Sequence, residues 1–173
     1  RMKPWKWPTG FPDTMIPFFD RTETIPDEDR PEVYFMSMGH FDWTANRDST
    51  GNIRVVKAGG RNIAADLPTK VPHVDMEWVI EQNPEIIVYS MSQEQYNATT
   101  PTIEEMEAKR DEIMSLPGFE DIDAVKTGRV YITDIKMASG LKGTVYGPNQ
   151  PGAKPSTIPY EDSEVKLTEY STI

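Results

Sequence analysis

The apolar positions change period several times along the chain, and each change marks an element. Glu32-Val33-Tyr34-Phe35-Met36-Ser37-Met38 is a dense apolar run of strand length. Ile86-Ile87-Val88-Tyr89-Ser90 is a second, so apolar and β-branched that it predicts a strand covered on both faces. Arg129-Val130-Tyr131-Ile132-Thr133 predicts a third. Between these runs the spacing turns helical. Residues 49–57 predict a short helix despite Gly51, and Met76, Val79 and Ile80 make a helical stripe behind Asp75, whose carboxylate is suited to cap the first turn. Residues 102–115 are the clearest amphipathic helix, with Ile103, Met106, Ile113 and Met114 near one face. Glu104, Glu105, Glu107, Lys109 and Asp111 occupy the other, solvated face. A further short helix runs from Asp121 to Lys126 and ends at Gly128, a natural C-cap.

Glycine and proline punctuate this order. Pro84 disfavours the helical conformation at Asn83 and ends the helix before it. Gly59-Gly60 predicts a backbone that needs positive φ or a close approach. Residues 1–20 hold four prolines (Pro4, Pro8, Pro12 and Pro17) among Trp5, Trp7, Phe11, Phe18 and Phe19, which excludes a long helix and predicts an extended arm laid on the domain. After Gly140, seven glycines and prolines at 143, 147, 148, 151, 152, 155 and 159 predict an irregular linker or arm, with residues 164–168 as an edge strand. Strands alternating with helices predict an α/β fold, a mainly parallel sheet flanked by helices. The division expected is an arm at 1–20, an α/β lobe at 21–140 and a Pro/Gly-rich arm or tail at 141–173.

Composition narrows the function by exclusion. A chain of 173 residues can bury a real core. Its 28 acidic against 18 basic residues give a net charge of −10, and no concentrated basic face offers itself to nucleic acid or an anionic membrane surface. The absence of cysteine removes disulfides, thiolate metal sites and cysteine nucleophiles. No apolar run approaches the roughly 18 residues of a membrane span. The first residues lack the apolar core of a signal peptide, so an export signal is expected outside this sequence if the protein is exported. There is no Gly-x-Ser-x-Gly elbow, the Gly140-Leu141-Lys142-Gly143-Thr144 run has the wrong spacing for a phosphate loop, and no carboxylate pair is set apart from the exposed helix faces. A binding protein, not an enzyme, is expected. Two His-x-Asp pairs, His40 with Asp42 and His73 with Asp75, leave a direct metal-ion site as an alternative. Asn97-Ala98-Thr99 is a glycosylation sequon that matters only on an exported chain.

Four segments together resemble a known family. They are Ile25-Pro26-Asp27-Glu28-Asp29-Arg30-Pro31-Glu32-Val33-Tyr34-Phe35, Ala58-Gly59-Gly60-Arg61-Asn62-Ile63-Ala64, Val74-Asp75-Met76-Glu77-Trp78 through Asn83-Pro84-Glu85-Ile86-Ile87, and Ile122 through Tyr131. In this order and spacing, over residues 21–136, they resemble the carboxy-terminal lobe of the substrate-binding proteins that serve ABC importers of ferric siderophores, haem and cobalamin. The resemblance implies a single lobe of a periplasmic-binding-protein-like fold, located outside the cytoplasmic membrane, with an ABC permease as partner. It implies a ferric siderophore, haem or corrinoid as non-covalent ligand and no covalent cofactor. Members pair two lobes through a long helix; the upstream lobe and that helix are missing here, and the usual carboxy-terminal helix is not recognisable after Gly140.

Family ligand contacts come from loops at the strand ends, which points here to His40, Phe41, Trp43, Arg47, Tyr89, Met91 and Tyr96. Aromatic walls suit a flat macrocycle and an arginine fork suits an anionic chelate. Counting back from Gly59, Asp48 falls near the family's acidic residue that faces a basic pocket on the permease; the alternative is that Asp48 caps the helix starting at Ser49. Arg61 is expected to pair with Asp66 or to project into solvent. A second class of function stays open beside transport, an interaction module that kept the lobe, whose aromatic arms could exchange between the chains of a homodimer.

Overall fold

The computed structural model describes residue 22 and residues 24–92, 101–134, 144–148 and 155–159. Six strands form one sheet: β1 (Glu32–Met36), β2 (Arg61–Asn62), β3 (Ile86–Ser90), β4 (Val130–Thr133), β5 (Thr144–Pro148) and β6 (Pro155–Pro159). The helices are α1 (Thr50–Lys57), α2 (Met76–Gln82), α3 (Ile103–Met114) and the single turn α4 (Asp123–Lys126). The spatial order is β2-β1-β3-β4-β5-β6. The first four strands are parallel to their neighbours, and β5 and β6 add on antiparallel.

Register decides which side chains share a face. Tyr34 lies beside Ile87 and Ile87 beside Val130, while Met36, Tyr89 and Ile132 line up in the same way. These six residues therefore point to one side, where Val79 of α2, Met106 and Ile113 of α3, Phe119, Ile122 and Ala124 complete the main core. Val33 and Phe35 point to the other side and pack with Ala45 and Val55 of α1, and with Ile86 and Val88. Both faces of the sheet are covered, as its near-continuous apolar strands require.

Most local expectations hold, and the exceptions have physical reasons. Thr102 and Glu105 form a reciprocal capping box at the start of α3. Of the expected α3 stripe, Met106 and Ile113 are buried but Ile103 is exposed, because it occupies the first turn, ahead of the part that crosses the sheet. Asp75 holds the N-cap position of α2 without a side-chain hydrogen bond to it. The stop works as expected. Asn83 adopts left-handed φ of 45° before Pro84, and its Oδ1 then accepts the Asp123 amide at 2.9 Å, so one residue ends α2 and caps α4. The two glycines are needed for different reasons. Gly59 has φ of 89°, while at Gly60 a Cβ would lie 2.6 Å from Val33 Cγ2.

The stretch expected to be irregular after Gly140 supplies β5 and β6 instead. Its prolines sit where an antiparallel edge tolerates them, with Pro148 beside Pro155 at one end and Pro159 beside Thr144 at the other. Gly147 lies under the Tyr131 ring, where a Cβ would meet Cδ1 at 2.5 Å. The arm at 1–20 and the edge strand expected at 164–168 lie outside the described residues. Among the described residues no helix is long and apolar enough to cross a membrane.

Candidate functional site

The carboxyl ends of β1 and β3 lie side by side, and the chain leaving β1 folds over them. Met38 and Gly39 take left-handed φ of 54° and 80° in succession, which turns the backbone sharply at the strand end. The Gly39 amide then donates to Ser90 O at 2.8 Å, and Ser37 N donates to Trp43 O at 2.8 Å across the turn. Two tyrosines hold the turn from beneath. Tyr89 Oη donates to Gly39 O at 2.6 Å, and Tyr34 Oη donates to Phe41 O at 2.7 Å. Burial, and to a lesser degree the Asp42 carboxylate, push the Tyr34 hydroxyl well above the ordinary phenol range, so it stays a neutral donor.

Beyond the turn the chain runs antiparallel to residues 70–74. Thr44 N donates to Pro72 O at 3.0 Å, Val74 N to Asp42 O at 2.9 Å and Asn46 N to Lys70 O at 3.2 Å. This pairing sets Trp43 opposite His73 and builds an aromatic face. The His40 ring stacks on Trp43 with centroids 4.1 Å apart and planes 16° from parallel, and the His73 ring meets Trp43 at 4.8 Å and 60°. His73 Nδ1 lies 3.2 Å from Asp42 Oδ2, which fixes that imidazole's orientation. His40 and His73 are exposed and Trp43 is half-buried, so the face is open to a ligand.

The predicted contacts do not all come together. His40 and Trp43 come together in this face. Phe41 turns the other way, onto Tyr89 at 5.6 Å and beneath Lys109 of α3, whose Nζ is 5.2 Å from its ring centre. Tyr89 and Met91 are buried in the main core, and Tyr89 supports the loop from inside. Met91 underlies a shallow recess of about 390 Å³ beside Lys109 and Glu112 of α3. Arg47 is exposed but bound to the turn after β2, with Nε donating to Ala65 O at 3.4 Å and the guanidinium paired with Asp66. Arg61 consequently has a different partner from the one expected, Glu32 Oε1 at 2.8 Å. Tyr96 lies outside the described residues.

Asp48 is exposed, and it is not the cap of α1. Ser49 is, its Oγ accepting the Asn52 amide at 3.2 Å. The capping alternative for Asp48 is thereby removed.

Two residues outside the expected ligand contacts matter here. Spacing pairs His73 with Asp75, but the antiparallel pairing gives it to Asp42 and Trp43 instead. No group of three or more His, Asp or Glu side chains is placed to hold a metal ion among the described residues. Asn62, inside the diglycine segment, is buried and joins three parts of the lobe. Its Nδ2 donates to Ala45 O at 2.6 Å and to Asn52 Oδ1 at 3.1 Å, and its Oδ1 accepts the Ala64 amide at 3.0 Å. A polar residue between a glycine pair and an apolar turn is the signal available for it.

The family model for periplasmic binding proteins matches residues 21–136. No curated protein sequence matches the chain. Among solved structures, the lobe is similar to a periplasmic solute binding protein from Veillonella parvula DSM 2008, at 23% identity and a TM-score of 0.51, covering 69% of this chain and 33% of that one. It is similar to an ABC-type Fe3+-hydroxamate transport system protein from Saccharomonospora viridis DSM 43017, at 20% identity and a TM-score of 0.52, covering 70% and 39%. It also resembles the periplasmic heme-binding protein RhuT from Roseiflexus sp. RS-1, at 21% identity and a TM-score of 0.53, covering 70% and 43%. The chain thus spans between 33% and 43% of the length of these structures, which share its fold. With the family model covering most of its length, the chain belongs to the periplasmic binding protein family, with the α/β architecture of one of its lobes.

Proposed function

We propose that this lobe is part of the substrate-binding component of an ABC importer acting outside the cytoplasmic membrane, and that it captures a metal chelate of the siderophore, haem or corrinoid class non-covalently. The observation that carries the reading is the open imidazole–indole face of His40, Trp43 and His73 at the carboxyl end of β1. In α/β sheets this end is where ligands bind. A stacked pair of flat rings offers area to a macrocycle or an aromatic chelator without side-chain reordering. The names of the similar structures include a hydroxamate transport system and a haem-binding protein, which supports the same ligand class.

Adding a ferric hydroxamate, haem or cobalamin to the protein is expected to quench tryptophan fluorescence saturably for one of them. Trp43→Phe should abolish most of that response while the remaining tryptophans keep the protein's basal signal. No saturable change with any of the three up to high micromolar ligand would overturn capture by this lobe and favour a module that binds proteins instead.

The permease is the partner this reading requires. Asp48, exposed and without an ion pair among the described residues, is the proposed docking carboxylate. An exposed charge of this kind sets orientation and association rate more than affinity. In the complete importer, Asp48→Lys is expected to cut uptake about tenfold or more while ligand binding to the isolated protein is unchanged. Undiminished uptake would remove the docking role.

A further inference from the structure

On the α1 side of the sheet, next to the aromatic face, a second recess of about 220 Å³ opens at the carboxyl end of β1. Its polar lining is unusual for an acidic chain. Arg54 of α1 and Lys70 both line it, neither enters an ion pair among the described residues, and no carboxylate lines it there. The first turn of α1 joins the rim through Thr50 and Gly51, where helix amide groups lack intrahelical acceptors. Independently of the helix end, Thr44 lines the recess and is fully buried, and its Oγ1 has no hydrogen-bond partner among the described residues. A buried hydroxyl left unpaired is costly, and a bound polar atom is the usual remedy.

Phe35, Met38 and Val71 make up the apolar wall of the recess. Inorganic phosphate would satisfy the cations but leave that wall uncovered. An acid with a short apolar body uses both. The volume is below the roughly 300–1,000 Å³ of pockets that enclose a drug-sized ligand, so a whole chelate does not fit. We propose that this recess is a binding site for a small carboxylate, with Arg54 and Lys70 taking the carboxylate, Thr44 supplying a buried hydroxyl contact and the apolar wall taking the body of the molecule. This site is separate from the aromatic face and does not depend on the chelate reading.

Benzoate is a suitable probe, with benzamide as its neutral isostere, followed by amide chemical shifts on the whole chain. Saturable benzoate shifts are expected at Ser37, Thr50 and Gly51, with benzamide and inorganic phosphate each binding at least about tenfold more weakly. Arg54→Gln should weaken benzoate about tenfold or more. Thr44→Val should weaken it several-fold without lowering the urea midpoint, since the hydroxyl it removes has no partner among the described residues. Competition by haem but not by haem dimethyl ester would show the same site accepting a pendant carboxylate of a larger molecule, and absence of competition would assign it to free acids. Equal binding of benzamide, equal binding of phosphate, benzoate shifts confined to other residues, or an Arg54→Gln protein that binds benzoate unchanged would each overturn the proposal.

Discussion

Asn62→Leu is expected to lower the unfolding free energy by about 2–5 kcal/mol, because two buried backbone groups lose their partners and each such loss is worth about 1–3 kcal/mol. The groups are Ala45 O and Ala64 N, and both residues are buried beside Asn62. Leucine has nearly the shape of asparagine, so the loss comes from polarity and not from a cavity. The effect reaches the functional end of the lobe, since Ala45 O belongs to the segment that carries Trp43 and Thr44. Asn62→Asp separates the two hydrogen-bonding directions. A carboxylate still accepts from Ala64 N but presents a charge to Ala45 O, and burial raises the pKa of such a group. With its folded pKa raised, Asn62→Asp should approach wild-type stability at low pH and lose ground as pH rises through the carboxylate range. Urea unfolding followed by circular dichroism at about pH 4 and pH 7 tests both variants. A loss below about 1 kcal/mol for Asn62→Leu would mean that water replaces the amide and that the site is wetter than its burial implies.

Gly60→Val is expected to cost about 3 kcal/mol, the upper part of the range for overpacking a filled interior. The new Cβ alone would stand 2.6 Å from Val33 Cγ2 and 3.2 Å from Val55 Cγ1, and both valines are buried between the sheet and α1. Neither can withdraw without moving β1 or α1. The neighbouring glycine behaves differently. Gly59→Ala meets the flexible end of Ile25 at 3.1 Å, and its expected cost of about 1–2 kcal/mol comes from the left-handed backbone. A Val33→Ala background should therefore recover part of the Gly60→Val loss and none of the Gly59→Ala loss, a coupling of about 1 kcal/mol that a double-mutant cycle reads directly. Simple additivity for the Gly60–Val33 pair would show that the helix, not the valine, yields.

Much of this lobe is legible in the sequence because its signals are local. The β-branched run at 86–88, the Asn83-Pro84 stop and the C-cap at Gly128 each depend on a few adjacent residues, and chain neighbours alone set those conformations. The antiparallel pair β5 and β6 escapes sequence reasoning for the opposite reason. Its proline content argues against a strand interior, and only pairing at the sheet edge places those prolines at the strand ends. Strand-end position alone also did not reveal that Tyr89 is buried. It brings a residue near the site without saying which face of the sheet it points to.

The sequence by itself determined the α/β order, the parallel core and the helix stops, since these rest on periodicity and turn residues, and its four-segment resemblance pointed to the family. Tertiary structure decided which residues meet at the candidate site. Residues 42–46 and 70–74 are far apart in the chain, and nothing local says that they pair; that pairing brings His73 to Trp43 and Asp42, and Lys70 towards Arg54 and the buried Thr44 hydroxyl. Register, which is fixed by the packing of the whole sheet, also turned Tyr34 and Tyr89 inward as supports and left His40 and Trp43 facing out.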